Sequence, residues 1–135
     1  MKTSRYSRGL QAAFIGMVMA GSIAVARAEI KDYEFQLADQ TVQAGPDKTI
    51  TVRLVNKSTG KPVSGAVIFA TRLDMAPDGM QEMATKIASI PGGEPGTYKF
   101  KANFSMAGRW QLSVGAKVQG ETGTVENKFV ITAQK

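Results

Sequence analysis

The sequence has neither cysteine nor histidine among its 135 residues. Without cysteine, no disulfide can hold the fold together, and no thiolate can act as a nucleophile or metal ligand. Without histidine, the chain lacks the usual general base near neutral pH and the imidazole ligand of zinc sites. A Ser/His/Asp triad is therefore excluded, and the sequence predicts a protein that is not an enzyme.

Two further absences narrow the function classes. No glycine-rich phosphate loop leads from a strand into a helix, so nucleotide binding has no support. Carboxylate pairs such as Asp74 with Asp78, or Glu121 with Glu126, could in principle do acid-base work. Because Asp and Glu are rarely buried, these pairs are predicted to be surface charges rather than acid-base groups.

The N-terminus has the pattern of an export signal. Lys2, Arg5 and Arg8 precede an apolar run over residues 10–26. The small residues of Ala26-Arg27-Ala28 then meet the requirement of signal peptidase. The sequence thus predicts a cleaved signal peptide.

Cleavage at this site defines two regions, a signal peptide of residues 1–28 and a single mature domain of residues 29–135, exported to the periplasm. The alternative is an anchor in the inner membrane formed by residues 10–26, a run barely long enough to span a bilayer. The signal carries four of the 17 basic residues and none of the 11 acidic ones, which leaves 13 basic residues and a net charge of +2. So small a charge does not support binding to nucleic acid.

The mature region shows the period-two pattern of short strands. Ile50, Val52 and Leu54 alternate with more polar residues, which indicates a strand with one face in a core. Comparable segments, separated by turn residues, lie near residues 33–37, 66–72, 84–89, 98–103, 108–114 and 124–133. About seven short strands predict an all-β fold, an immunoglobulin-like antiparallel β-sandwich preceded by an N-terminal signal helix. Trp110 is predicted to lie at the centre of its core.

Four of the seven methionines lie in the mature region. Met75, Met80 and Met83 fall in one polar, turn-like segment, and Met106 just precedes the Trp110 strand. Methionines in a segment with proline and glycine are not expected in a core. If the two hairpins share one end of the sandwich, the thioethers converge, and such soft, neutral sulfur favours Cu(I). A second interpretation stays open, because methionine also fills gaps and forms adaptable contact surfaces.

Several short motifs accompany the methionine-rich segment at 75–83. They are Gly60-Lys-Pro-Val-Ser-Gly-Ala66, Pro95-Gly-Thr-Tyr98 and Phe104-Ser-Met-Ala-Gly-Arg-Trp-Gln-Leu112. Together with the order of elements, they resemble the small YtkA-like/FixH-like domains of bacterial envelope proteins over residues 45–133. The resemblance implies an immunoglobulin-like sandwich, export or membrane attachment, and an association with heavy-metal transport or with the assembly of copper-containing oxidases.

The resemblance also assigns residues. It matches the methionine-rich loop to Met75, Met80 and Met83, and a Met-x-Gly-x-Trp turn to Met106, Gly108 and Trp110.

Two hypotheses follow from the sequence. In the first, the chain is an exported accessory protein that binds Cu(I) through all four methionines, for transfer to a membrane protein of a metal-efflux or respiratory-oxidase assembly system. In the second, it is a ligand-free periplasmic interaction module that contacts a membrane transporter or assembly complex. Neither hypothesis involves nucleic acid or a small-molecule substrate.

Overall fold

The computed structural model describes residues 29–135, so the predicted signal peptide or anchor lies outside the described residues. Two five-stranded sheets make up this part of the chain. The strands are β1 (Tyr33–Leu37), β2 (Thr41–Gln43), β3 (Gly45–Asn56), β4 (Lys61–Pro62), β5 (Val67–Met75), β6 (Met80–Thr85), β7 (Ile87–Ile90), β8 (Thr97–Phe104), β9 (Gly108–Lys117) and β10 (Val125–Gln134). Short 3-10 turns cover Ile30–Asp32 before β1 and Ala76–Asp78 between β5 and β6.

The strand order is that of an immunoglobulin-like sandwich. One sheet runs β1-β3-β8-β7, with β4 paired to the end of β3, and the other runs β2-β10-β9-β5-β6. In such a sandwich the first, second, fifth and fourth principal strands form one sheet, and the third, sixth and seventh form the other. Counted without β2, β4 and β6, the strands here follow that scheme. The predicted fold class is confirmed.

The described residues contain more strands than the seven expected. β2 and β4 are short additions, and β2 pairs with β10 in parallel rather than antiparallel register. The strand predicted at 84–89 is divided between the two sheets. β6 ends at Thr85 in one sheet and β7 begins at Ile87 in the other, so the chain crosses between sheets at Lys86.

The core lies between the sheets, and the period-two pattern identifies its members. Of the residues that this pattern places inward, Tyr98 and Phe129 are partly buried against the core, and the others are buried: Ile50, Val52, Leu54, Phe100, Ala102, Trp110, Leu112, Val114, Val125 and Ile131. Trp110 is 1% exposed and packs edge-on against Phe104, with ring centroids 5.7 Å apart. Its indole Nε1 donates a hydrogen bond of 3.1 Å to the Met106 carbonyl. This hydrogen bond fixes the turn between β8 and β9 to the core.

None of the helices in residues 29–135 combines the length and the apolarity needed to cross a bilayer.

Candidate functional site

The β5–β6 hairpin and the β8–β9 turn lie at the same end of the sandwich, which is the condition under which the sequence would let the methionines converge. Asp78, in the 3-10 turn of the hairpin, accepts hydrogen bonds of 2.8 Å from the backbone N–H and the Nε of Arg109. The Nη2 of Arg109 donates a third, also 2.8 Å, to the Pro77 carbonyl. We call this region, residues 75–80 and 104–110, the methionine end.

The Asp78–Arg109 pair is a clamp between the two hairpins. The hydrogen bond from the Arg109 amide lowers the pKa of Asp78 from its usual value, and the guanidinium adds to the effect. Both interactions favour the charged carboxylate. Asp78 therefore remains an anion that positions the two loops, a role unlike that of a general acid or base.

Gly108 allows a close approach between the hairpins. Its φ of +145° is one that residues with a side chain rarely adopt. A Cβ atom at this position would lie 2.5 Å from the Met75 Cε and 2.9 Å from the Asp78 Oδ2. The methyl end of Met75 thus reaches directly beneath the β8–β9 turn, two residues from Met106.

Met75 belongs to the core, contrary to the expectation that methionines of this segment would not. It is 1% exposed, because β5 extends into the start of the polar segment and ends at Met75. Met75 is the cross-strand partner of Met80 in the β5–β6 pair. Met80 is partly buried and packs against the same core. These two thioethers are therefore neighbours at the methionine end.

Met106 and Met83 are the more exposed members of the set, at 42% and 37%. Met106 lies in the β8–β9 turn, where its carbonyl is tied to Trp110. Met83 follows Met80 by three residues on the edge strand β6, within the irregular stretch between the Met75–Met80 and Asp74–Ala84 pairs. The structure thus brings Met75, Met80 and Met106 to one end, whereas Met83 is an exposed residue of β6.

Asp74 was predicted to be a surface charge, but it is buried, and its carboxylate is engaged in structural contacts. Asp74 is 4% exposed; its Oδ2 accepts from the Arg72 Nε at 2.6 Å and its Oδ1 from the Ala76 N–H at 2.9 Å. Residues 29–135 contain no group of three or more acidic side chains arranged to hold a metal ion. Within this region, the thioethers are the candidate ligands.

Glu121 also makes a structural contact, with a residue far away in the sequence. It accepts a hydrogen bond of 2.9 Å from the Tyr33 hydroxyl, which joins the start of β1 to the β9–β10 loop. Burial raises the pKa of Tyr33, and the hydrogen bond with Glu121 raises it further. The neutral phenol is therefore the favoured form in the folded protein.

A second surface was not identified from the sequence. The outer face of β5, β9 and β10 carries a groove of about 470 Å³ beside Phe69, whose side chain is 50% exposed. The residues around Phe69 were predicted to form a strand, but a local pattern does not reveal that this aromatic ring faces outward.

Comparison with known proteins identifies the family. The family model described as YtkA-like matches residues 27–115. No curated protein matches the chain. Among solved structures, the chain is similar to the ZirS C-terminal domain, with 14% identity, a TM-score of 0.44, and coverage of 84% of this chain and 74% of that one. It is also similar to a conjugative transposon lipoprotein from Bacteroides eggerthii, with 11% identity, a TM-score of 0.35, and coverage of 74% and 96%.

The family model spans the methionine end together with β1 and most of β9. The resemblance noted in the sequence is therefore confirmed, and the chain belongs to the YtkA-like family.

Proposed function

We propose that this chain is an exported, non-catalytic accessory domain that binds Cu(I) at its methionine end for transfer to a membrane partner. The observation that carries the proposal is the meeting of two hairpins at the Asp78–Arg109 clamp, which brings Met75, Met80 and Met106 to one end. Family membership and the N-terminal export pattern support the accessory role in the envelope.

The chemistry of this end suits a soft, monovalent ion. Thioether sulfur is neutral and needs no deprotonation, and it prefers Cu(I) to hard cations such as Mg²⁺. Unlike a thiolate, it forms no disulfide in an oxidising compartment. Met106 is 42% exposed, so an ion reaches it directly from solvent, while Met80 and Met75 supply sulfur from the more buried side.

The proposed partner is a membrane protein of a metal-efflux or respiratory-oxidase assembly system. A site at the exposed tip of a sandwich, rather than inside it, allows a second protein to approach the bound ion. The predicted periplasmic location places the chain where such a partner presents its outer domains.

Competition titration with a colorimetric Cu(I) chelator tests the proposal. The double variant Met80→Leu/Met106→Leu should bind Cu(I) at least about tenfold more weakly than the wild type, a difference of about 1.4 kcal/mol. Leucine conserves volume closely enough to preserve the fold. Met83→Leu is the matched control, because Met83 is an exposed residue of the same strand, whereas Met75 is buried in the core and Met80 packs against it; its affinity should equal that of the wild type.

Absence of Cu(I) uptake by the wild type, or equal affinity in the double variant, would refute the metal site. A metal-free interaction module is then the second candidate, favoured by the two adaptable, exposed side chains of Met83 and Met106. In that case a membrane partner should co-purify in the presence of a Cu(I) chelator, and replacing both exposed methionines with serine should abolish the capture.

A further inference from the structure

The outer face of the β5-β9-β10 sheet exposes apolar side chains that the proposed metal site does not use. Val67, Phe69 and Val130 are 59%, 50% and 49% exposed on these strands. Phe69 borders the groove of about 470 Å³ whose floor includes Ser113 and Gly115. We call this the outer groove.

A β-bulge turns Phe69 toward this groove. Ile68 pairs with Ala116 and Ala70 pairs with Gly115, so Phe69 is an extra residue in β5 with no partner in β9. Such a bulge re-aims a side chain. The Phe69 ring lies across Gly115, with its nearest atom 3.1 Å from the position that a Cβ would occupy there. Any larger residue at position 115 would push the ring away from this place by a few tenths of an ångström.

Charged side chains occupy two adjacent rows beside the ring. Arg72, Ser113 and Lys128 form one row across the three strands, according to the strand register. The next row ends in Glu126, which is opposite Gly115. Glu126 and Lys128 are two residues apart on β10, so their charges are about 7 Å apart along the strand.

We propose that the outer groove is the contact surface between two copies of this chain, related by a two-fold axis that crosses the strands between the Ser113 row and the Gly115 row. This axis places Glu126 of each copy opposite Lys128 of the other. It also places each Phe69 ring over Arg72 of the other copy, a cation–π arrangement. The Arg72 side chain keeps 56% of its surface exposed despite its ion pair with Asp74.

The pattern of charge selects a second copy over other occupants. In an isologous interface one patch must complement itself, which here requires opposite charges at the two positions that the axis exchanges. Glu126 and Lys128 meet this requirement. An acidic peptide would instead face the Glu126 carboxylate beside the groove. The small side chains of Ser113 and Gly115 permit the spacing of about 10 Å at which two sheets pack.

Sedimentation velocity of the exported protein over a dilution series, with a Cu(I) chelator present, tests this proposal independently of the metal site. The wild type should show a concentration-dependent monomer–dimer equilibrium. Phe69→Ala, Glu126→Lys and Lys128→Glu should each weaken dimerisation by roughly tenfold, because each change acts twice in a symmetric dimer. Lys101→Glu, a matched charge change on the exposed face of the other sheet, should have no effect.

The charge-swapped variant Glu126→Lys/Lys128→Glu provides the sharpest result. It keeps the net charge and restores opposite charges across the axis, so its dimer should regain the strength of the wild-type dimer. A wild type that stays monomeric up to about 1 mM, where binding is worth only about 4 kcal/mol, would overturn the proposal. So would a charge-swapped variant no stronger than either single variant, or a Phe69→Ala variant that dimerises like the wild type.

Discussion

Replacing Gly108 with alanine tests whether the two hairpins of the methionine end approach as closely as described. The new Cβ would lie 2.5 Å from the Met75 Cε and 2.9 Å from the Asp78 Oδ2, distances at which one partner must move. A methionine methyl group is usually free to shift. Here, however, Met75 is 1% exposed within a packed core, and the Asp78 carboxylate is held by Arg109.

Two costs add in this variant. Overpacking a filled region typically costs about 1–3 kcal/mol. The backbone at φ +145° adds about 1–3 kcal/mol for a residue with a side chain. We expect Gly108→Ala to lower the free energy of unfolding by about 2–6 kcal/mol, measured by urea denaturation.

Gly120→Ala is the matched control. Gly120 also has a positive φ, +84°, but a Cβ there would meet no atom within 4 Å. It should therefore cost only the backbone term, about 1–2 kcal/mol. A second check adds Met75→Ala, which opens space beneath the turn. In that background Gly108→Ala should cost at least about 1 kcal/mol less than in the wild type. Equal losses for Gly108→Ala and Gly120→Ala would refute the close approach.

Three other predictions concern the same framework. Trp110→Phe removes the N–H that donates to the Met106 carbonyl and leaves a gap in the core, so the free energy of unfolding in urea should fall by about 2–4 kcal/mol. A fall below about 1 kcal/mol would contradict this packing. Arg109 lowers the pKa of Asp78, so the stability that this carboxylate contributes is complete above about pH 4 and is lost as the pH falls through the lowered pKa. In a plot of the urea midpoint against pH, Asp78→Asn should therefore show a flatter decline on the acid side than the wild type. Burial raises the pKa of Tyr33, so the stability that its neutral phenol contributes is complete below about pH 10 and is lost as the pH rises through the raised pKa. A decline of the urea midpoint at alkaline pH that is unchanged in Tyr33→Phe would contradict this assignment.

Period-two alternation was sufficient to predict the principal strands and most of the core. The bounds predicted for the first strand, residues 33–37, coincide with those of β1. Which face of a strand is buried is a local property of its sequence, so it is visible in the pattern of side chains. β2 and β4, with three and two residues, are too short to show any period. The crossing at Lys86 depends on which sheet has a free edge, and this is not encoded locally.

The arrangement of the candidate site could be predicted only in part, because part of it depends on contacts between distant strands. The sequence singled out the two methionine-bearing hairpins, and the Met-x-Gly-x-Trp turn marked Gly108, but whether the hairpins meet was left open. The burial of Met75 depends on how far β5 remains paired with its neighbours, and the outward ring of Phe69 depends on a register shift against β9. Pairing between distant strands decides both, so composition and spacing do not reveal them.

X-ray absorption spectroscopy at the copper edge, on the Cu(I)-loaded protein, tests the proposed metal site most directly. We predict sulfur scatterers at about 2.3 Å, a distance typical of metal–sulfur bonds. Their number should fall in Met106→Leu and stay unchanged in Met83→Leu. A spectrum fitted by nitrogen and oxygen ligands alone, or one that loses sulfur in Met83→Leu but not in Met106→Leu, would contradict the account.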